Sequence, residues 1–440
     1  MNIAIIGAGY VGLVTGACFS EFGVKVICVD KVKEKVDLLN QGEIPFYEPG
    51  LKEMVTRNVE AGRLSFTTDI VSAIEHSLVL FIAVGTPQGE TGAADMSYVK
   101  EAAESIGKYM NGYKVIVNKS TVPVGTSEIV KEIIKNNITN NYRFSVISNP
   151  EFLREGAAIE DFLKPNRVVI GADEGDEEAV AIMKDLYSPL YLIETPFVIT
   201  NCASSELIKY AANAFLAVKI SYVNEVADLC ERVGADIHAV AKGIGLDGRI
   251  GNKFLHPGPG FGGSCFPKDI VAFSNTAKEY DCQLEIVDAA ARVNQQRIDV
   301  MVKKISDVMG DVKRKTVAIL GVAFKMNTDD VRESPGLKIV KKLQEQGAKI
   351  KVYDPAAMEN AKKNTKNIVF CQDEYDCASG SNAIAIVTEW HQFRNLDLER
   401  IKGLMVEPIF IDLRNIYEPH TVKKLGFKYV GVGRRMTNKG

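Results

Sequence analysis

The first thirty residues narrow the possible folds more than any other stretch. Asn2–Ile6 is a short apolar run that ends in Gly7-Ala8-Gly9-Tyr10-Val11-Gly12. A helix-forming segment runs to Phe22, and a second apolar run, Lys25–Val29, closes on Asp30. Strand, glycine turn, helix, strand and acid in this order form the dinucleotide-binding fingerprint in the context it requires. Gly7 makes the tight turn, Gly9 admits a pyrophosphate, and Gly12 lets the helix pack on the sheet. The helix start supplies N–H groups and a positive dipole end to phosphate. Asp30 suits the hydroxyls of an adenosine ribose and repels a 2′-phosphate, which favours NAD over NADP; Lys31 and Lys35 soften that preference.

More βα units follow. Leu78–Val84 reads as a buried strand ending in Gly85-Thr86-Pro87. Lys114–Asn118 leads into Ser120–Thr126, and Phe144–Ser148 leads into Asn149–Gly156. Ligands of doubly wound sheets sit beyond the carboxyl ends of the strands, and Thr86, Thr121, Glu151 and Glu155 fall there. The plain alternative for the two threonines is turn and cap chemistry. From Asn201 to Asp299 the pattern turns to long helical periodicity. Ser205–Cys230 sets Lys209 and Asn213 one turn apart on one face, among Ala211, Ala212, Ala214 and Phe215. A lysine there needs a partner or loses solvation, unless it is an ordinary solvated helix lysine. A third region repeats the β-loop-α-β theme: strand Thr316–Leu320, a polar loop to Pro335, helix Gly336–Gln346 and strand Lys349–Tyr353. Strands at Ala383–Val387 and Pro408–Leu413 come later. The expected fold is α/β, with two Rossmann-like parallel-sheet domains joined by a long helical spacer. The expected boundaries are 1–200, 201–300 and 301–440, followed by a frayed tail over Gly433–Gly440.

Gly260-Phe261-Gly262-Gly263-Ser264-Cys265-Phe266-Pro267-Lys268-Asp269 carries the chemistry. Pro267 suits a turn or a first helical turn. A thiol entering a helix start beside Lys268 ionises more readily, and the thiolate is the reactive form. A buried inert cysteine is the competing reading.

The net charge of −3 gives no support for nucleic acid or an anionic membrane as a partner, so any anion site must be local. The eight cysteines form no C-x-x-C pair and no Cys/His ligand spacing, so reduced thiols are expected and no metal site. No apolar stretch approaches about 18 residues, and no signal peptide precedes the first strand, so a cytoplasmic location is expected.

The whole chain resembles the UDP-glucose 6-dehydrogenase family. The resemblance rests on Gly7–Gly12 with Asp30, Ser120–Gly125, Asn149–Gly156, Glu206–Ala214, Arg249–Leu255, Gly260–Asp269 and Phe324–Pro335. It implies oxidation of C6 of UDP-glucose to a carboxylate with two NAD. Cys265 would be the nucleophile, forming a thiohemiacetal and then a thioester. Lys209 with Asn213 would stabilise the oxyanion, Asp269 and Thr121 would manage a water, and Glu151 would be the base for hydrolysis. Gly7, Gly9, Tyr10, Val11, Gly12, Asp30, Lys35, Thr86, Thr121, Glu155, Lys268 and Arg332 would serve the cofactor. Phe152, Leu153, Arg154, Glu155, Lys209, Asn213, Phe254, Leu255, His256, Gly258, Gly262, Lys325 and Arg414 would serve the substrate, with Arg249 lent by a neighbouring subunit; His256 reads as a bystander there. A homodimer through the central helical segment is the implied assembly.

Three other readings stay open. Dehydrogenases of the 3-hydroxy acid type share the glycine turn and the Lys-x-x-x-Asn pair but account for only half of the chain. GDP-mannose or a UDP-N-acetylhexosamine could replace UDP-glucose under the same chemistry. A catalytically silent sugar-nucleotide sensor is the last, and every matched catalytic position is intact.

Overall fold

The computed structural model describes residues 1–89 and 92–434 of the chain. It divides into two compact units, Met1–Ala212 with Val271–Cys282, and Asn213–Ile270 with Gln283–Gly440.

The first unit is built on one sheet. Its strands are β1 (Asn2–Ile6), β2 (Lys25–Val29), β3 (Leu64–Thr67), β4 (Val79–Ile82), β5 (Lys114–Asn118), β6 (Phe144–Ser148), β7 (Val168–Gly171) and β8 (Phe197–Thr200). They lie in the order β3-β2-β1-β4-β5-β6-β7-β8. Strands β4 and β5 are buried along their whole length, as an apolar run covered on both faces must be. Pairing is parallel from β3 to β6, with Ile3 opposite Val26 and Val79. Then β7 meets β6 antiparallel, at Ser148 opposite Gly171. The order reverses beside β1, which leaves a crevice beyond its carboxyl end.

The second unit holds β9 (Thr316–Leu320), β10 (Lys349–Tyr353), β11 (Ile368–Phe370), β12 (Ala383–Ile386), β13 (Ile409–Asp412) and β14 (Lys428–Gly431), ordered β11-β10-β9-β12-β13-β14. Counted from its own first strand this is 3-2-1-4-5-6, the winding of the first six strands of the other sheet. The echo between the two α/β regions is therefore one topology used twice.

The helix Cys202–Val233 runs for 32 residues, about 48 Å at 1.5 Å per residue. It leaves Phe215, Tyr222, Leu229 and Val233 each more than half exposed. Steps of seven, seven and four residues set these side chains on one face.

Three expected strands lose terminal residues: Leu78–Val84 is ordered only over Val79–Ile82, Ala383–Val387 ends at Ile386, and Pro408–Leu413 narrows to Ile409–Asp412. Of the lost residues, Ala83 and Val84 lead into the loop that carries Thr86, and Leu413 directly precedes Arg414. Strands β3, β7, β8, β11 and β14 were not anticipated; each has three or four residues, too few for a periodicity to declare itself. The expected fraying at Gly433 is corrected: its N–H donates to Glu231 at 2.7 Å and its carbonyl accepts from Ile237 N at 3.0 Å. Residues 435–440 of that tail lie outside the described residues. No helix among the described residues is long and apolar enough to cross a membrane.

Candidate active site

The glycine turn after β1 has the geometry its residues demand. Gly7 sits at φ +104°, and its N–H donates to Val29 O at 2.7 Å. A β-carbon on Gly12 would lie 1.8 Å from Gly7 O, so no other residue lets this helix start so near the turn. A β-carbon on Gly9 would meet nothing within 4 Å. That opening lies at the start of the helix Tyr10–Glu21, where N–H groups favour phosphate. Asp30, 8% exposed, accepts from Ala8 N at 3.0 Å, from Val32 N at 3.0 Å and from Lys35 Nζ at 2.7 Å. Lys35 thus belongs to the acid, whereas Lys31 pairs with Glu101 at 2.8 Å. An open phosphate cradle beside an acid fits a dinucleotide. Val11, half-buried, continues the same helix.

Glu48 ties this helix to the loop after β6, and no sequence pattern had marked it. Its buried carboxylate accepts from Tyr10 Oη, from Gly156 N at 2.6 Å and from Ala158 N at 2.8 Å. Burial and this neighbour hold the Tyr10 phenol far above its ordinary range. Glu48-Pro49-Gly50 resembles any turn, so only the fold reveals its work.

At the ends of β4, β5 and β6 the expected residues converge. Thr86 Oγ1 donates to Thr121 O at 2.9 Å. Lys209 found the partner its apolar face required: Nζ lies 2.8 Å from Glu151 Oε1, and both side chains are 4% exposed. The other Glu151 oxygen accepts from Leu153 N. The Phe152 ring lies under Arg167, 3.5 Å from Cζ, with Lys209 Nζ 5.4 Å from its centre. Glu206, one turn before Lys209, accepts from Gly125 N at 2.7 Å and from Ser127 N and Oγ at 2.8 and 2.7 Å. It caps the helix Thr126–Asn137 and steadies the Ser120–Gly125 loop. Burial raises the Glu206 pKa against those hydrogen bonds. Arg154 is committed to Asp161 at 2.6 to 3.1 Å, whereas the half-buried Glu155 lies near enough to Tyr10 for its charge to act on the phenol.

In the second unit, Cys265 is the residue before the helix Phe266–Glu279, and its carbonyl accepts from Asp269 N at 2.8 Å. The thiol is partly exposed and lies 3.5 Å from Ser264 Oγ. The inert-cysteine alternative required burial, which six of the other thiols have. Asp269, 1% exposed, accepts from Asn213 Nδ2 and from Lys268 Nζ, both at 2.7 Å. The glycines before the thiol press on the Phe324–Pro335 loop. A β-carbon on Gly262 would lie 2.3 Å from Glu333 O, and Gly263 N donates to Arg332 O at 2.9 Å. Asn294 brackets Phe261 through its N–H and carbonyl at 2.9 and 3.0 Å, another role without a sequence signature.

Arg414 meets the Phe254–Gly258 loop, where a β-carbon on Gly258 would lie 3.3 Å from its Nη1. It also donates to Val387 O at 2.7 Å and pairs with Glu389 at 3.0 Å. Phe254 takes φ +62°, Leu255 is buried and His256 is exposed. Lys325 Nζ lies 5.4 Å over the Phe324 ring, and Arg332 pairs with Asp330 at 2.7 Å. Arg249 is committed to Asp247 at 2.6 Å, and its side chain is 89% exposed. Among the described residues no three His, Cys, Asp or Glu side chains are grouped to hold a metal ion.

A phosphate-accepting helix start with its acid, at the switch point of a doubly wound sheet, defines a dinucleotide-linked oxidoreductase. Residues 1–191 match the NAD binding domain of the UDP-glucose/GDP-mannose dehydrogenase family, residues 203–296 its central domain, and residues 318–419 its UDP binding domain. A UDP-glucose 6-dehydrogenase from Rhizobium meliloti (strain 1021) is 51% identical over 437 residues, covering 99% of this chain and 100% of that protein. Another, from Bacillus subtilis (strain 168), is 47% identical, covering 98% and 93%. The solved UDP-glucose dehydrogenase of Pyrobaculum islandicum superposes with a TM-score of 0.91 at 38% identity, covering 98% of each chain. The chain belongs to the UDP-glucose/GDP-mannose dehydrogenase family, and its cofactor is NAD.

Proposed function

We propose that the chain oxidises C6 of UDP-glucose to the carboxylate of UDP-glucuronate, and that residues 1–200 hold NAD, 201–300 carry the thiol loop and the self-association surface, and 301–440 hold the UDP-sugar. The observation that carries the reading is the partly exposed Cys265 at a helix start, with Lys268, Asp269 and Asn213 hydrogen-bonded one turn on. Gly7–Gly12 and Asp30 would hold NAD⁺, which would supply hydride acceptance, one hydride for each molecule bound. Asp269, through a water that Thr121 helps to order, accepts the alcohol proton as the first hydride leaves. The Cys265 thiolate then adds to the aldehyde carbon, and Lys209 and Asn213 stabilise the oxyanion. Loss of the second hydride converts this thiohemiacetal into a thioester. Water adds to the thioester carbon, its proton passes to Glu151, and the C–S bond breaks to return the thiolate. Two NAD⁺ and one water are consumed, and no free aldehyde leaves.

Purified protein with NAD⁺ and UDP-glucose, UDP-galactose, UDP-N-acetylglucosamine or GDP-mannose, followed by NADH absorbance, tests this. Two NADH per UDP-glucose are expected. One NADH with free aldehyde would remove the thioester route, and turnover with GDP-mannose alone would replace the substrate.

Self-association belongs to the same reading. The apolar face of Phe215, Tyr222, Leu229 and Val233 suits a second copy of the helix, forming a homodimer. The exposed Arg249 would exchange its surface pairing with Asp247 for a neighbouring subunit's substrate.

A further inference from the structure

Lys119 has no part in the roles above, yet it is one of the most confined charges in the first unit. It follows β5 directly, is 4% exposed, and donates to Asn149 Oδ1 at 3.0 Å and Tyr187 Oη at 3.2 Å. Tyr187 Oη also donates to Asn149 Oδ1 at 2.7 Å, and Asn149 Nδ2 to Val169 O at 2.7 Å. Both acceptors of the ammonium are neutral, and Lys119 forms no ion pair among the described residues. The rings of Phe162 and Tyr187 lie 6.0 and 5.8 Å from Nζ. A buried cation without a counterion is costly, and an apolar side chain would fill the space more cheaply.

Its position supplies a reason. Lys119 immediately precedes Ser120 and Thr121, and Asn149 immediately precedes Pro150 and Glu151. One hydrogen bond therefore joins the two strand ends that present Thr121 and Glu151. Lys119 and Glu151 also line one small cavity with Asn149, Phe152, Arg167 and Tyr187. We propose that Lys119 is a positioning residue for hydrolysis of the acyl-enzyme: through its hydrogen bond to Asn149 it fixes the turn that presents Glu151 to the attacking water. This rests on the assignment of Glu151 as the hydrolytic base.

The groups facing this ammonium are Glu151 from the turn after β6, Lys209 from the long helix and Tyr187 from the end of the helix Glu177–Leu186. Arg167 and Asp161 share the cavity wall, with Asp161 already paired to Arg154. Burial draws the Lys119 pKa down to about 8, Glu151 opposes that fall, and Lys209 adds to it. The charge is thus present at neutral pH and is lost as pH rises through about 8.

Stopped-flow NADH formation by wild type, Lys119→Met, Lys119→Arg and Glu151→Gln tests the proposal. Lys119→Met is expected to keep the burst of two NADH per site within twofold and to slow steady-state turnover. Acylated Cys265 should then appear in the intact mass after an acid quench. The steady-state rate of Lys119→Met should fall about tenfold while the two-NADH burst serves as the internal control. Lys119→Arg, which keeps a charged donor at this position, should return turnover towards wild type. Wild-type turnover without acyl-enzyme in Lys119→Met, while Glu151→Gln accumulates acyl-enzyme, would overturn the proposal alone. Absence of acyl-enzyme in Glu151→Gln would instead overturn the assignment of Glu151. A Lys119→Met protein that no longer quenches its fluorescence with NAD⁺ would report a merely structural role and also count against it.

Discussion

Glu151 and Lys209 stand 2.8 Å apart with almost no access to water, so neither can be removed without stranding the other. Such pairs add little net stability, but losing one member costs about 3–5 kcal/mol. Lys209→Ala is therefore expected to lower unfolding stability by about that much in a denaturant titration, and Glu151→Gln with Lys209→Met to recover most of it. Additive losses would show that the pair is not coupled. Lys119 should behave in the opposite sense. Its folded pKa of about 8 lies below that of a free lysine, so the folded state disfavours the ammonium. The cost is full below pH 8, on the order of 3 kcal/mol, and fades as pH rises from there towards about 10.5. Lys119→Met should accordingly melt no lower than wild type at pH 7, with the difference closing above pH 8. Cys265→Ser should cut formation of the acid by roughly 10³-fold or more, read as NADH yield per UDP-glucose. Which residues could be read beforehand follows from how each announces itself. Cys265, Lys209 and Asp30 sit in spaced motifs. Glu48, Lys119 and Asn294 are single polar residues whose partners lie far away in sequence, so nothing local gives them away.

The glycine turn and the glycine run before the thiol tolerate little change, for a steric reason. With Gly7 O 1.8 Å from where a β-carbon would stand, Gly12→Ala must push the helix Tyr10–Glu21 off the turn. Its affinity for NAD⁺ should fall by about tenfold or more, as measured by fluorescence titration; unchanged affinity would mean that the cradle is not where the pyrophosphate binds. Strands bearing long β-branched runs, such as Lys114–Asn118 and Thr316–Leu320, were legible to the residue. Ile368–Phe370 and Phe197–Thr200 were not, because three or four residues at a sheet edge follow from pairing rather than from their own pattern. The antiparallel step at β7 was equally silent, since strand direction is set by the connection and not by the strand.

At the scale of the molecule, the order 3-2-1-4-5-6 in both sheets is a global property that no window of sequence contains, although the repeated β-loop-α-β theme hinted at it. The uncovered face of the long helix gives the assembly its test. Phe215→Glu with Leu229→Glu should convert a dimer into a monomer in light scattering after gel filtration; a wild-type monomer would refute the surface. The last consequence comes from Gly262 and Gly263, whose backbones touch Glu333 and Arg332 in the loop after β9. On the proposed roles, the loop that would grip the nucleotide end of a ligand and the segment that would aim the sulfur are joined backbone to backbone. On that reading a ligand with an ill-fitting base that shifts the loop would also move Cys265, so selectivity would be exerted through reaction rate as well as through affinity.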